Sequence, residues 1–323
     1  MNSEIQTDKA LGQGTATARQ AIQAGAALLS RAGVEGARLD AELLLAEALG
    51  FDRSKLYLNY ELALDPRAQE RFCSLLARRM GGEPVAYITG RREFWSLDFL
   101  VNRATLVPRP ESELLVEVAI RLLSDRRRHA GPPLDLPLAK GEMKRGCAEH
   151  KPKILDLGTG SGAIAVSLAR EIADVEIWAT DVSVEALEVA ERNARRHGAE
   201  EKIHFLSGDL FEPVRDRRGF FQMIVSNPPY VRRGELDRLA REIRHFEPRI
   251  ALDGGEDGLD FYRRIIQEGC LYLAPGGFVA LEIGAEMGAE VGRLFADVGC
   301  YSEARLYADY AGRDRVVSAR RLK

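Results

Sequence analysis

The sequence predicts an α/β fold, in which a mostly parallel sheet ends in an antiparallel C-terminal hairpin and follows a small N-terminal helical bundle. Three observations predict it. From Thr17 to about Gly90, the apolar residues recur with the period of a helix. From Lys153 onward, short apolar runs alternate with amphipathic helical segments, which is typical of parallel strands joined by crossover helices. Residues 302–322 contain two strand-like runs around a glycine turn, as expected for a hairpin at one sheet edge.

The N-terminal part is predicted to be a bundle of three helices, each stopped by a glycine, at Gly33, Gly50 and Gly81. The residues themselves show only an amphipathic bundle of local contacts. Residues 1–16 are polar and contain glycine, so we expect a disordered tail there and a helical domain over residues 17–90.

A change of period marks the boundary with the second part. Residues 91–109 are predicted to be a β-hairpin linker, because two short aromatic and β-branched runs flank Asn102-Arg103. The second domain is expected over residues 110–323 and begins with a helix. Residues 125–152 are rich in proline, glycine and charge without a usable period, so we expect a flexible surface insertion.

Composition excludes several classes of protein. The four cysteines form no C-x-x-C pair and the five histidines have no ligand spacing, so we expect no disulfide scaffold and no metal site. No apolar segment approaches the length of a membrane span, and the formal net charge of −3 gives no drive toward nucleic acid. We expect a cytoplasmic monomer with neither a membrane nor a direct nucleic-acid partner.

The first motif that carries chemistry is DLGTGSG, residues 156–162, where a predicted strand turns into a helix. Its three glycines allow a tight turn and a close approach of the backbone to a ligand. The next strand ends in Asp181, 19 residues beyond Gly162. A carboxylate there can accept both hydroxyls of a ribose, although a helix cap is an equally ordinary role for it.

The third strand of this series ends in Asp209 and Leu210, which suit the amino group and the ring face of an adenine. For Asp209 alone, a helix cap is again an equal alternative. Three consecutive strands nevertheless bring glycines and two acids to the carboxyl edge of the sheet, where open α/β sheets bind ligands. The series therefore predicts a nucleoside-containing cofactor.

The fourth strand ends in the corner Asn227-Pro228-Pro229-Tyr230 and is expected to lie beside the first. An amide or exocyclic amine is a poor nucleophile, because its lone pair is delocalised. The side-chain oxygen of Asn227 and the carbonyl of Pro228, whose direction proline fixes, can accept the two N–H bonds of such a group and stabilise its developing positive charge. Tyr230 can stack on the planar group. The alternative is a plain proline turn that ends the strand.

The G-x-G-x-G turn and the closing antiparallel pair resemble class I S-adenosylmethionine-dependent methyltransferases, which have a Rossmann-like fold. The Asn-Pro-Pro-Tyr corner resembles the signature of those that methylate planar NH2 groups. Residues 81–117 and the segments EPRIALDGGEDGLDFYRRII, LEIG and AGRDRVV resemble bacterial protein-(glutamine-N5) methyltransferases of the HemK/PrmC family. The resemblance covers nearly all of residues 17–321.

This resemblance implies S-adenosyl-L-methionine as cofactor, and as substrate the glutamine of the Gly-Gly-Gln (GGQ) motif in class-I peptide chain release factors. It implies that the helical domain docks the release factor. It also implies that Arg109 and Glu111 lie near the cofactor and order the active-site entrance, although a salt bridge at the start of a helix is an equally ordinary role for them. It assigns cofactor binding to Gly158, Thr159, Gly160, Ser161, Gly162, Asp181, Asp209, Leu210 and Asn227. It assigns substrate binding to Asn227, Pro228, Pro229 and Tyr230, and catalysis to Asn227, Pro228 and Tyr230.

Two other functions fit parts of the sequence. An adenine amino group fits the same corner, so a nucleic-acid adenine-N6 methyltransferase is the main alternative, although the acidic balance and the lack of a base-recognition domain argue against it. A non-catalytic S-adenosylmethionine-binding module is the other, and the complete Asn-Pro-Pro corner argues against it. Two residues depart from the family pattern: Ser112 stands where threonine is usual, and His245 where an acid is common.

Overall fold

The computed structural model describes residues 16–129 and 151–322. Nearly all of the predicted tail, and residues 130–150 of the predicted insertion, lie outside this part of the chain. The chain divides into two compact units. Of the described residues, those up to Arg91 form the first together with Leu239–Glu247, and those of Arg92–Arg238 with those from Pro248 onward form the second.

The first unit is helical, and its sequence caps explain where the helices begin. Asp65 accepts a hydrogen bond from the backbone N–H of Ala68 at 2.8 Å, and Thr17 forms a reciprocal capping box with Gln20. Aliphatic and aromatic side chains, Phe72 among them, fill one buried core. The helices are α1 (Ala18–Arg31), α2 (Ala37–Leu49), α3 (Arg53–Leu58), α4 (Pro66–Met80) and α5 (Val85–Thr89), joined by the later short helix Arg241–Phe246.

A buried arginine connects three segments of this helical unit. Arg79, which is 8% exposed, donates from Nε to Asp40 Oδ2 at 2.7 Å and from Nη1 to Glu242 Oε2 at 2.6 Å. The same Nη1 also donates to the backbone carbonyl of Glu83 at 3.1 Å. Because charges this deeply buried are tolerated only when paired, Arg79 links helices α2 and α4 to the segment Leu239–Glu247.

Replacing Arg79 with alanine is expected to destabilise the chain by about 3 kcal/mol or more, because two carboxylates then lose their buried partner. Urea unfolding of the full chain, followed by far-UV circular dichroism, measures this. The matched control is Arg19→Ala, whose ion pair with Glu61 is 2.7 Å long but solvent-exposed and should contribute little. Equal effects of the two substitutions would show that burial does not set the contribution of Arg79.

A hairpin lies in the predicted linker, but its position was predicted wrongly. Strands β1 (Arg91–Phe94) and β2 (Leu97–Leu100) are joined at Trp95 and Ser96, with φ of 53° and 56°, and not at Asn102-Arg103. Two positive φ values suit a two-residue hairpin turn, yet Trp-Ser is not a sequence that favours one. Distant contacts hold the turn, since Glu113 accepts from the Trp95 backbone N–H at 2.8 Å and Glu171 from its indole N–H at 2.8 Å.

The second unit is built on a seven-stranded sheet in the order β5-β4-β3-β6-β7-β9-β8. Strands β3 to β7 pair in parallel, whereas β9 pairs antiparallel with both β7 and β8. This confirms the predicted mostly parallel sheet with its antiparallel C-terminal hairpin. The strands are β3 (Lys153–Leu157), β4 (Glu176–Asp181), β5 (Ile203–Ser207), β6 (Phe221–Ser226), β7 (Leu273–Glu282), β8 (Arg305–Ala308) and β9 (Asp314–Arg320).

Helices cover both faces of this sheet, and an apolar core lies under each. One core includes Ile154 and Val225, and the other includes Leu155 and Ile224, because successive strand residues point to opposite faces. The helices of this second unit are α6 (Glu113–His129), α7 (Ala163–Glu171), α8 (Val184–Arg196), α10 (Asp260–Tyr272) and α11 (Gly288–Val298), while α9 is the short helix Arg241–Phe246 of the first unit.

Three further features bear on the sequence predictions. Helix α6 continues to His129, so the segment predicted as a flexible insertion from residue 125 begins as helix. Cys270 and Cys300, thirty positions apart, are joined by a disulfide, which the cysteine spacing did not suggest. Within residues 16–129 and 151–322, no helix is long and apolar enough to cross a bilayer, and no cluster of acidic, histidine or cysteine side chains is suited to a metal.

Candidate active site

A cavity of about 430 Å³ opens at the carboxyl edge of the parallel strands, entirely within the second unit. Its size is in the range of cofactor pockets. Its walls bring together ten of the twelve predicted site residues: Gly158, Thr159, Gly160, Ser161, Asp181, Asp209, Leu210, Asn227, Pro228 and Pro229. Gly162 and Tyr230 do not line it.

The glycine turn after β3 forms one wall. Gly158 and Gly160 adopt left-handed conformations with φ of 69° and 57°, and a Cβ at either would project into open space. Gly162 has a different role, because a Cβ there would lie 3.0 Å from that of Ala190 on α8. Two of the three glycines therefore leave room at the cavity, and the third lets helix α7 begin close against α8.

The turn is braced from beneath by Asp156, which is fully buried. Its Oδ2 accepts a hydrogen bond of 2.7 Å from the hydroxyl of Thr159, and burial raises the pKa of its carboxyl to about 7. Thr159 thus faces a structural partner as well as the cavity.

The carboxylate of Asp181 joins two walls of the cavity. Its Oδ2 accepts from the backbone N–H of Gly160 at 2.8 Å, and its Oδ1 accepts from that of Ser183 at 2.9 Å. The N-cap of helix α8 is the Ser183 side chain, which accepts from Ala186 N–H at 3.0 Å. Asp181 is therefore not the helix cap, and each of its oxygens keeps a lone pair with which it can bind a ligand hydroxyl.

The next wall is a strained turn after β5. Leu210 has a φ of 46°, an uncommon conformation for a residue with a side chain, and the buried hydroxyl of Thr180 donates to its carbonyl at 3.1 Å. This conformation places the Leu210 side chain on the cavity wall. Asp209 lines the cavity too, but its Oδ2 already accepts from Arg264 Nη2 at 2.6 Å.

Asn227 stands at the end of β6, on the opposite wall. Its Nδ2 donates to the hydroxyl oxygen of Ser112 at 3.1 Å, and no residue in the described part of the chain donates to its Oδ1. The carboxamide is thus anchored by its nitrogen and presents its oxygen as an acceptor. Pro228 behind it is buried, which leaves its backbone little freedom to move.

A glycine-rich loop clamps the rest of the corner. Val231 exchanges backbone hydrogen bonds of 2.9 Å with Leu252 and Gly254, and a Cβ on Gly254 would lie 2.7 Å from the Cα of Tyr230. The ring of Tyr230 packs toward Gly284, whose added Cβ would be 3.5 Å from its Cδ2. The structure therefore places this ring beside the end of β7, and Tyr230 is not among the residues that line the cavity.

Replacing Gly254 with alanine is expected to lower kcat about 10²-fold, because the methyl group collides with rigid backbone and displaces the Asn-Pro-Pro corner. Steady-state kinetics with thermal unfolding of the same variant measures this. Gly234→Ala is the matched control, since a Cβ there meets nothing within 4 Å. Full activity in Gly254→Ala would show that the corner tolerates displacement.

Comparison with known proteins identifies the relatives of this chain. A model of the PrmC N-terminal domain matches residues 20–90, and a model of the methyltransferase small domain matches residues 143–256. The release factor glutamine methyltransferase of Geobacter sulfurreducens is 40% identical over 304 residues, which cover 94% of this chain and 96% of the relative. The chain belongs to the release factor glutamine methyltransferase family. The relative from Moorella thermoacetica is likewise 40% identical, over 94% of this chain and 99% of its own.

A solved structure shows the fold of this family member to be that of a methyltransferase. The catalytic domain of hMettl16, solved in complex with MAT2A 3'UTR hairpin 6, superposes with a TM-score of 0.50. It is 15% identical and covers 76% of this chain and 81% of that one. At this identity the likeness concerns fold alone. The predicted class I S-adenosylmethionine-dependent methyltransferase fold is thereby confirmed.

Several cavity residues of this family member were not predicted from sequence. Arg109, expected near the cofactor, does line the cavity, whereas Glu111 does not. Ser112, Phe261 and Arg264 line it without having been assigned to it. Phe261 and Arg264 belong to the first turns of α10, and nothing in its sequence pattern indicates a cofactor site. The start of this helix reaches the cavity only once the sheet has formed.

Proposed function

We propose that this chain transfers a methyl group from S-adenosyl-L-methionine to N5 of the glutamine side chain in the GGQ motif of class-I peptide chain release factors. The observation that carries the proposal is the Asn227 carboxamide. It is anchored through its nitrogen and presents its oxygen at a cavity lined by a glycine turn and by Asp181. The relatives named above are release factor glutamine methyltransferases, and this chain matches them over nearly their whole length.

The cavity suits the cofactor on its own geometry. Space left by the missing side chains of Gly158 and Gly160 admits a ligand against the backbone, and the Asp181 oxygens can accept both hydroxyls of a ribose. Leu210 offers an apolar face for a purine ring. When bound there, S-adenosyl-L-methionine supplies an electrophilic methyl group on a positively charged sulfur.

The protein's contribution is to hold and polarise the glutamine amide. Its nitrogen is a poor nucleophile, because the lone pair is delocalised into the carbonyl. The Oδ1 of Asn227 and the carbonyl of Pro228 accept its two N–H bonds, which aims the lone pair and stabilises the positive charge that the nitrogen acquires. Both acceptors are set before the substrate arrives, one by Ser112 and the other by the proline ring. A proton leaves the nitrogen afterwards.

The site alone also admits an adenine amino group, so nucleic-acid methylation is the competing function. The overall charge of −3 offers no general attraction for a polyanion. The relatives named for release factor glutamine methylation match both units of the chain, whereas the RNA-bound hMettl16 domain shares only the fold. Glutamine is thus the better-supported substrate.

A labelling experiment separates the two functions. The full chain is given cofactor with a radioactive methyl group, together with a class-I release factor, the same factor with GGQ changed to GGA, or DNA. We expect label on the intact factor alone, located by mass spectrometry at the glutamine side chain. Label on adenine of the DNA, with none on the factor, would overturn the proposal.

The helical unit has its own proposed role in this function. We propose that residues 17–90 dock the release factor, while residues 110–323 carry out the transfer, and that the enzyme acts as a cytoplasmic monomer. Leu58 is 85% exposed in the helical unit, so Leu58→Asp leaves the fold intact. If Leu58 lies in the docking surface, this substitution raises KM for the intact release factor and leaves KM for a peptide of the GGQ loop unchanged. If no substitution on the surface of the helical unit raises KM for the intact factor more than KM for the peptide, the docking role is wrong.

A further inference from the structure

A buried carboxyl group lies next to the proposed catalytic asparagine. Strands β6 and β7 pair in parallel with Ser226 opposite Leu281, so the residues that follow, Asn227 and Glu282, lie side by side at the carboxyl edge. Glu282 is only 1% exposed, and its Oε2 has no hydrogen-bond partner among the described residues. An acid so deeply buried and incompletely paired is costly, and a purely structural role does not account for it.

Ser112 connects these two side chains. It is 4% exposed, at the turn that opens helix α6. Its hydroxyl oxygen accepts the 3.1 Å hydrogen bond from Asn227 Nδ2, and the hydroxyl also hydrogen-bonds with the carboxyl group of Glu282. The three side chains therefore form one chain of hydrogen bonds, from the buried edge of β7 to the cavity.

The direction of this chain follows from the chemistry of its members. A carboxylate can only accept hydrogen bonds, and a hydroxyl has a single proton to donate. When Glu282 is ionised, Ser112 must donate to it, so Ser112 can only accept from Asn227. The amide nitrogen of Asn227 then faces Ser112, and its oxygen faces the cavity.

We propose, on the basis of the function proposed above, that Ser112 and Glu282 are positioning residues that keep the Asn227 oxygen turned toward the substrate amide. Neither touches the transferred methyl group. A protonated Glu282 can instead donate to Ser112, which frees the Ser112 proton for the Asn227 oxygen. The carboxamide then turns its NH2 group to the cavity, where it opposes the N–H bonds of the substrate.

The groups around Glu282 set where this change occurs. Burial raises the pKa of its carboxyl to about 7, opposed by the Ser112 hydrogen bond and by the charges of Arg315 and Arg109, while Glu111 acts with burial. Two phenols also lie near it, that of the buried Tyr262 and that of the partly buried Tyr230. The guanidinium of Arg315 lies 3.5 Å from Asp309, so it is shared with another acid. Activity should therefore be lost as the pH falls through about 7.

Three variants of this chain test the positioning role: Ser112→Ala, Ser112→Thr and Glu282→Gln. We expect Ser112→Ala to lower kcat about 10- to 10²-fold with unchanged cofactor affinity, and Ser112→Thr to keep most of the activity, because it retains the hydroxyl. In Glu282→Gln the acidic limb of the kcat–pH profile should disappear, because a carboxamide does not change its protonation state over this pH range. Thermal unfolding of each variant identifies any that fails to fold.

The outcomes separate this inference from the proposed function. If the wild-type chain does not methylate the release factor, the proposed function itself fails. If it does, but folded Ser112→Ala matches Ser112→Thr in kcat, the positioning role is wrong. An acidic limb that persists unchanged in Glu282→Gln overturns the part assigned to Glu282. If Glu282→Gln is unstable, the pH profiles of the two Ser112 variants decide. The acidic limb should remain in Ser112→Thr and be absent from Ser112→Ala, because only a hydroxyl at this position connects Glu282 to Asn227.

Discussion

Replacing Asn227 with alanine is expected to lower kcat about 10²-fold or more while the affinity for S-adenosyl-L-methionine changes little. Alanine removes the Oδ1 acceptor that the structure presents at the cavity, so the substrate amide loses one of its two fixed partners. The walls that hold the cofactor, at the glycine turn and at Asp181, stay as they are. Single-turnover kinetics at saturating cofactor and calorimetric titration of the cofactor measure the two quantities separately.

A matched control for this substitution is Asn59→Ala. Asn59 ends helix α3 in the helical unit, where its side chain donates to the carbonyl of Lys55 at 2.7 Å. This substitution also removes one carboxamide, but in the first unit, whereas the cavity is lined only by residues of the second. We expect kcat near that of the wild type. If Asn227→Ala weakens cofactor binding as much as it slows transfer, residue 227 holds the cofactor and the catalytic assignment is wrong.

The sheet and the residues at its strand ends could be predicted because both follow from periodicity along the chain. A strand that alternates with helices must be parallel, and parallel strands end at one edge. From this rule alone, the sequence predicts that four residues at strand ends lie close together: Gly158, Asp181, Leu210 and Asn227. All four line the cavity. The prediction needed no side-chain detail.

Side-chain partners far apart in sequence could not be predicted in this way. Ser112 carried only the signal of a helix start, yet its hydroxyl anchors Asn227. The hairpin turn at Trp95-Ser96 is held by acids from two later helices, so local turn preferences pointed elsewhere. Tyr230 faces Gly284 because its backbone is clamped by a loop 24 or more positions downstream, at Gly254 and beyond.

Replacing Asp181 with alanine is expected to raise the dissociation constant of S-adenosyl-L-methionine about 10²-fold, because two hydrogen bonds to a charged acceptor are lost. Two backbone N–H groups, of Gly160 and Ser183, lose their acceptor at the same time, so the cavity walls loosen as well. Calorimetric titration of the cofactor measures the effect. At saturating cofactor kcat should recover most of its value, which is the reverse of the pattern expected for Asn227→Ala.

A graded series makes this prediction sharper. Asp181→Asn keeps one acceptor oxygen, so it can satisfy only one of the two backbone N–H groups and should bind the cofactor with intermediate affinity. Asp174→Ala, which removes an exposed carboxylate just before β4, should bind like the wild type. If all three variants bind alike, the ribose is not held by Asp181. If Asp181→Ala instead abolishes transfer even when saturated with cofactor, the carboxylate acts on the reacting groups, and the separation between the cofactor wall and the Asn227 wall does not hold.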